Sequence, residues 1–281
     1  MTRVPKTRHG SRRATRSIAS KRGVAGGRKA APVPVALVTG AGRGLGRAVT
    51  RALVGRKYCV VTCSTSSTAP GLGESLHRRV DVSDPAAVDA FMDEMVARFG
   101  RLDVLVNNAG YANAPTPISG TSEEVARRCF GTNVLGPYSL MRRALPVMIA
   151  QPEGGVVINI ASRAALAPVP GLAAYSASKT ALVSLTLAAA KEVDETRVLC
   201  VSVCPGGMDT EMRATLYGAE DSSRQLNPDT VAALVVDLAA TRSLSGIPVR
   251  SGSAVLVSKD SGVTVLEWPE NERGHRSLIL R

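Results

Sequence analysis

Six short strand-like runs, most of them rich in Val, Leu and Ile and most followed by a stretch with helical spacing, constrain this chain to a narrow set of folds. The runs are PVALVTG (34–40), YCVVTCS (58–64), HRRVDVS (77–83), LDVLVNNAG (102–110), GGVVINIAS (154–162) and RVLCVSVCPG (197–206). Apolar residues at successive positions, rather than alternate ones, belong to strands covered on both faces, and a parallel sheet between two helical layers covers them so. Between the runs, 46–55, 121–150 and 172–192 read as helices. Residues 85–99 place Val88, Phe91, Met92, Met95 and Phe99 at helical spacing before a closing Gly100. Asn227-Pro228, an N-cap followed by proline at the first helical position, opens one more helix. SAVLVSKDSGVTVLEW (253–268) reads as two strands about a Lys-Asp-Ser-Gly turn. Aromatic residues make up 3% of the chain against 44% hydrophobic, so the core is aliphatic. The expectation is a single α/β domain over 33–281, doubly wound about a parallel central sheet, with a C-terminal hairpin.

Residues 1–32 hold ten of the 35 Lys and Arg and no Asp or Glu, so the net charge of +12 falls to +2 for the remainder. Rich in Arg, Ser, Ala and Gly, the segment lacks the apolar surface to fold alone and is expected to be a disordered basic extension. An organelle transit peptide, a nucleic-acid-binding arm and an inert extension are all compatible with it. The arm is the weakest of the three, because no aromatic is present for base stacking. The five cysteines (Cys59, Cys63, Cys129, Cys200, Cys204) form no CxxC pair and sit mostly among Val and Thr, as reduced core thiols do. No metal site is expected. No run approaches roughly 18 apolar residues, and the N-terminus lacks the apolar core of a secretory signal. A soluble cytoplasmic protein is expected, or an organellar one if the basic segment is a transit peptide.

The first run leads directly into Thr39-Gly40-Ala41-Gly42-Arg43-Gly44-Leu45-Gly46 and then a helix. Glycines admit positive φ and close backbone approach, and the free N–H groups at a helix N-terminus favour an anion such as a pyrophosphate. A dinucleotide suits such a turn, although its GxxxGxG spacing is not GxGxxG and a tight strand-to-helix turn would use the same residues. The second run ends Thr62-Cys63-Ser64-Thr65-Ser66-Ser67, with no acid where a carboxylate usually meets the ribose hydroxyls, while Arg43 stands in the turn. Arginine and hydroxyls suit a 2′-phosphate, so NADP(H) is the expected cofactor, with NAD(H) as the alternative. A solvated arginine beside a polar loop is the plainer reading of the same residues.

Tyr175 and Lys179 stand at i and i+4, on one face of the 172–192 helix, and Ser162 ends the fifth run 13 residues before Tyr175. Carbonyl reduction needs a hydride on carbon and a proton on oxygen. Free tyrosine, with a pKa of about 10, is poorly matched to that task at neutral pH. A nearby ammonium is expected to lower that pKa, and Ser162 to donate a hydrogen bond as charge grows on the substrate oxygen.

In this order and spacing, Thr39–Gly46, Asp81-Val82, Asn107-Asn108-Ala109-Gly110, Asn133, Ser162, Tyr175 with Lys179, and Pro205-Gly206 with Thr210 resemble a classical short-chain dehydrogenase/reductase over about 33–212. The resemblance implies a Rossmann fold. It implies Tyr175 as general acid/base, Lys179 holding the nicotinamide ribose and lowering the Tyr175 pKa, Ser162 steadying the carbonyl, and the Asn133 backbone holding a relay water. It implies dinucleotide contacts at Gly40, Arg43, Gly44, Leu45, Gly46, Ser64, Asp81, Val82, Asn108, Ala109 and Gly110. Asn107 would brace the fourth strand, and Pro205, Gly206 and Thr210 would border the nicotinamide. Arg43 matches members that prefer NADP.

Three features depart from the family pattern. Only 16 residues separate Ser64 from Asp81, so the helix usual there is short or missing. The loop after Gly206 is short, and its Met208, Met212, Leu216 and Tyr217 read either as a small apolar lid or as core. The C-terminal region lacks the family's common Asp-Gly-Gly ending, which leaves homo-oligomer formation open. The expected function is an NADP(H)-dependent oxidoreductase interconverting a carbonyl and an alcohol. Its small-molecule substrate is either a secondary-alcohol or steroid-like compound or a 3-oxoacyl thioester. An NADP(H)-binding sensor or scaffold without turnover is the rival, and the intact Ser162, Tyr175 and Lys179 argue against it. No membrane or nucleic-acid partner is expected.

Overall fold

A computed structural model describes residues 32–244, 246–260, 262–267 and the backbone of 279–280. The basic extension expected over 1–32 lies outside these residues, save for Pro32. The chain runs β1 (Val35–Thr39), α1 (Gly44–Gly55), β2 (Cys59–Ser64), β3 (Leu76–Arg79), α2 (Pro85–Phe99), β4 (Val104–Asn107), α3 (Glu123–Phe130), α4 (Gly136–Ala150), β5 (Gly155–Ile160), α5 (Ala173–Glu192) and β6 (Val198–Pro205). It continues through α6 (Glu211–Tyr217), α7 (Ala219–Ser223), α8 (Pro228–Thr241), a small β7 (Ser243–Leu244) and β8 (Ile247–Pro248) pair, then β9 (Ala254–Ser258), β10 (Gly262–Glu267) and β11 (Ile279–Leu280).

The main sheet has the order β11-β10-β9-β6-β5-β4-β1-β2-β3. Every pairing from β3 across to β9 is parallel. The β9–β10 and β10–β11 pairings are antiparallel, so the C-terminal hairpin extends the main sheet. Alternate residues of each strand feed two apolar layers. One joins Val38, Val60, Val106 and Ile158 to α1 and α8, and the other joins Leu37, Val61, Leu105 and Val157 to α2, α4 and α5. The chain moves outward from β1 to β2 and β3, then crosses to β4, β5 and β6 on the other side. That reversal opens a crevice at the carboxyl ends of β1 and β4, where a doubly wound sheet takes its ligand.

Local chemistry sets the element ends. The Asp84 side chain accepts from Ala86 N and Ala87 N to start α2, and Gly100 closes it at φ 67°, a backbone that glycine adopts without strain. Asn227 caps α8 by accepting from Asp229 N at 2.8 Å. The expected 121–150 helix is interrupted: between α3 and α4, Gly131–Leu135 form a single π turn, and Gly136 N donates to Gly131 O. No helix lies between β2 and β3. Residues 65–75 form a loop held by Arg47 Nη1 on Pro70 O (3.0 Å) and by the Glu74 carboxylate on Gly71 N and Leu72 N (3.0 and 2.8 Å). Four of the five thiols are buried, while Cys59 is partly exposed at the start of β2. Burial pushes the thiols of Cys63, Cys200 and Cys204 each up to about 12.

Candidate active site

The glycine turn begins where β1 ends. Gly40 takes φ 65° and donates its N–H to Cys63 O at 2.8 Å, which ties the turn to β2. Gly44, at φ 52°, starts α1 two residues earlier than its apolar pattern suggests. Arg43, at the N-cap position, makes no side-chain cap and the first turn of α1 carries no acid, so its N–H groups are left to an anion. The absent Cβ atoms complete the cradle: at Gly40 a Cβ would stand 2.8 Å from Ala109 Cα, and at Gly46 it would stand 2.3 Å from Gly40 O and 2.4 Å from Asn108 Nδ2. These features fit a dinucleotide pyrophosphate. Leu45 and Val82 bury their side chains, leaving only backbone for a ligand. Gly46→Ala is therefore expected to lower stability by about 1–3 kcal/mol and to weaken dinucleotide binding, measurable by thermal denaturation and titration.

Asn108 to Gly110 lock against this turn. Thr39 Oγ1 accepts from both Asn108 N and Ala109 N at 3.0 Å, and Asn108 Nδ2 donates to Thr39 O (2.9 Å) and Gly40 O (3.2 Å). Asn107 faces the sheet interior, donating through Nδ2 to Asn159 Oδ1 at 2.7 Å and so bracing β4 against β5. At the far end of the crevice, Ser64 Oγ lies 3.7 Å from where a Gly42 Cβ would stand. Asp81 Oδ1 accepts from Ser83 N and Ser83 Oγ (2.9 and 2.7 Å). Arg43 Nη1 pairs with Glu211 Oε2 at 3.2 Å, with both side chains about two-thirds exposed. A surface pair of this kind is worth about 0–1 kcal/mol, so a phosphate dianion can displace the carboxylate.

The opposite end of the crevice gathers the titratable groups. Ser162 lies two residues past the end of β5, its Oγ accepting from Ala164 N at 3.1 Å. Tyr175 and Lys179 occupy the first two turns of α5, with Lys179 Nζ 5.9 Å from the Tyr175 ring centroid and donating to Ile160 O at 2.8 Å. Asn133 sits in the π turn, a distortion frequent at functional sites. Its Nδ2 donates to Tyr111 O and Ser178 Oγ, and its Oδ1 accepts from Tyr111 N, all at 2.9 Å. A Cβ on Gly110 would lie 3.5 Å from Asn133 Oδ1 and 3.6 Å from Lys179 Nζ, which places the loop after β4 beside both. Sequence reasoning missed Ser178, which links Asn133 to Tyr175 by donating to Tyr175 O at 2.7 Å. Its signal was the i+3 spacing from Tyr175.

Burial pushes the Tyr175 phenol above its ordinary value, and the Ser162 hydroxyl acts against that rise. This is opposite to the lowering expected from Lys179. Burial also strips water from the ammonium, holding Lys179 at about 8, so its charge is costly where it would have to act.

β6 carries Pro205 and Gly206 to the rim, where Gly206 N donates to Val257 O at 2.7 Å. Thr210 caps α6, and a Cβ on Gly44 would lie 3.3 Å from its Cγ2, so the loop after β6 rests on the glycine turn. Of the side chains read as lid or core, Met208 packs into the α1/α8 layer. Tyr217 is partly exposed under the Arg213 guanidinium (4.7 Å), which is fixed by Asp221 at 2.6 Å. Tyr217 lies near enough to Tyr175 to raise its pKa further. Among the described residues no group of three or more His, Cys, Asp or Glu is placed to hold a metal ion.

Residues 34–221 match the model of the short chain dehydrogenase family. The chain is similar to galactitol 2-dehydrogenase of Agrobacterium fabrum, 34% identical over 183 residues that cover 63% of this chain and 71% of the relative. It is also similar to 3beta-hydroxysteroid dehydrogenase 2 of Eggerthella lenta, 30% identical over 237 residues covering 81% and 88%. Among solved structures, the 3-ketoacyl-(acyl-carrier-protein) reductase from Brucella melitensis complexed with NADH superposes with a TM-score of 0.73 at 31% identity, covering 80% of this chain and 97% of that one.

Proposed function

This chain belongs to the short chain dehydrogenase family, and on that premise we propose that it reduces a ketone or aldehyde at the expense of NADPH, with Tyr175 delivering the proton. Family membership makes it an NAD(P)-dependent oxidoreductase acting on CH–OH groups of small molecules. Catalysis by Tyr175, the direction and the preference for NADP(H) are our reading. The observation that carries it is the convergence of Ser162, Tyr175 and Lys179 at one end of a crevice whose other end is an uncapped helix N-terminus.

Bound there, the dinucleotide supplies the hydride. Gly40, Gly44, Leu45 and Gly46 hold its pyrophosphate by backbone, with Asn108, Ala109 and Gly110 forming the facing wall. Asp81 and Val82 border the adenine, and Pro205, Gly206 and Thr210 border the nicotinamide. The Ser162 hydroxyl donates to the substrate oxygen and steadies the charge that grows on it. The phenol, protonated at neutral pH and held so to still higher pH by burial, gives that oxygen its proton, which suits the reductive direction. Lys179, titrating at about 8, exchanges protons near working pH and restores the one Tyr175 gives up, with Asn133 and its π turn shaping the relay. All of these residues lie within 33–281, which we take as the catalytic domain, with 1–32 as a basic extension to it.

The preference for NADP(H) is supported by the lack of a carboxylate over Ser64–Ser67 at the end of β2, and by Arg43, engaged only in an exposed ion pair. The substrate class is a ketone or aldehyde paired with its secondary or primary alcohol. The test is a fluorescence titration with each reduced cofactor, together with NADPH oxidation against a panel of ketones, aldehydes and 3-oxoacyl thioesters. NADPH is expected to bind tighter than NADH by about tenfold or more, the worth of one charge-assisted hydrogen bond. Equal dissociation constants remove the preference, and tight binding without reduction of any carbonyl removes the enzymatic reading.

A further inference from the structure

The sheet face beneath α1 continues onto the edge strand β3. Register pairs Thr62 with His77 and Ser64 with Arg79. Alternation along a strand then puts all four side chains on one face. The contact of Thr62 Oγ1 with His77 Nδ1 at 2.9 Å fits this, as does Val80, buried in the layer on the opposite face with Val61 and Leu76. In a doubly wound sheet this face is covered by the helix that joins the two strands, and here 65–75 contain none.

Arg79 is consequently exposed, and among the described residues no carboxylate pairs with it. Its neighbour Arg78 points to the other face and bonds Glu94 through Nε at 2.8 Å. The nearby acids are engaged elsewhere, Glu74 on the Gly71 and Leu72 amides and Asp81 on Ser83. His77 Nε2 contacts Ser66 O at 3.0 Å, which folds the serine loop toward this corner. Across the mouth Gly42 faces Ser64, and Arg43 follows it.

We propose that Arg79 is a specificity-determining residue, the second guanidinium for the 2′-phosphate of NADP(H), made available by the missing helix between β2 and β3. The proposal rests on the NADP(H) reading above. A ribose at the end of β2 places its 2′-oxygen beside Ser64, between Arg43 on the glycine turn and Arg79 one register step across the sheet. Two guanidinium groups then share a dianion, while Arg79 has no task toward a dinucleotide that lacks it.

Calorimetric titration of the full chain with 2′,5′-ADP and with 5′-AMP tests this without turnover. The wild type is expected to bind 2′,5′-ADP at least about tenfold tighter than 5′-AMP, and Arg79→Gln to lose about tenfold for 2′,5′-ADP alone. Melting temperature and 5′-AMP affinity should not move, and Arg79→Lys should recover part of the loss. If Arg79→Gln keeps wild-type affinity for 2′,5′-ADP while the wild type prefers that ligand, the inference falls and the NADP(H) reading stands on Arg43. An equal loss for both ligands means that Arg79 shapes the adenosine pocket, which also overturns it. A wild type that binds both ligands equally overturns the NADP(H) reading and this inference with it.

Discussion

Tyr175→Phe is expected to lower kcat by a factor of about 100 or more while leaving NADPH affinity close to wild type. On the proposed reading the substitution removes the proton donor to the substrate oxygen and leaves the ring to pack. Ser162 cannot replace it, because a serine hydroxyl that gives up its proton must become an alkoxide in a buried site. The contrast with affinity matters: a variant that bound NADPH poorly would have lost packing, whereas one that binds well and does not turn over has lost the proton. Steady-state kinetics on any ketone reduced by the wild type, with a parallel cofactor titration, checks both halves. Full turnover in the variant would assign the proton to another group.

Lys179→Met should also abolish most turnover, and it carries a second signature in stability. Burial lowers the Lys179 pKa from 10.5 to about 8, so the unfolded chain binds more protons than the folded one between those values. Stability contributed by this site therefore rises as pH climbs from about 8 toward 10.5, and below 8 the full cost of the buried ammonium is present. That cost is about 3 kcal/mol on the scale of 1.36 kcal/mol per pKa unit. Methionine removes it, but also removes the 2.8 Å bond to Ile160 O, leaving a bare carbonyl that costs about 1–3 kcal/mol. The two nearly cancel at neutral pH, so the absolute stabilities discriminate poorly. The difference between wild type and variant does discriminate: it should stay flat below pH 8 and move in favour of the wild type above it. Urea denaturation at pH 7, 8, 9 and 10 measures this difference, and a flat profile throughout would mean that Lys179 titrates as an exposed lysine.

Most strands were readable because a parallel sheet buried on both faces demands consecutive Val, Leu and Ile. Helix ends were readable where a glycine or a capping side chain was recognised in the sequence, as at Gly100 and Asn227. The π turn was not, because Gly131-Thr-Asn-Val-Leu-Gly136 has no proline and its spacing continues that of a plain helix. Arg43 and Glu211 are 168 residues apart, so their pairing exists only once the loop after β6 has come down on the glycine turn. The direction of the Tyr175 shift depends on how much water reaches the phenol, which the i, i+4 spacing to Lys179 does not encode. Arg79 was passed over for a related reason. It reads as one more charge in His-Arg-Arg, and only the β2–β3 register separates it from Arg78.

The buried thiols make the sheet its own reporter. At neutral pH a thiol held near 12 presents almost no thiolate, the form that alkylating reagents attack, so Cys63, Cys200 and Cys204 are chemically silent in the closed fold. Any labelling of them records a moment when the chain around them has opened. The three sample different places: Cys63 the end of β2 beside the glycine turn, Cys204 the carboxyl end of β6, and Cys200 its first half. Their relative labelling rates rank how often each part of the crevice breathes, and ligand protection at Cys63 but not at Cys200 would separate local opening from opening of the whole sheet.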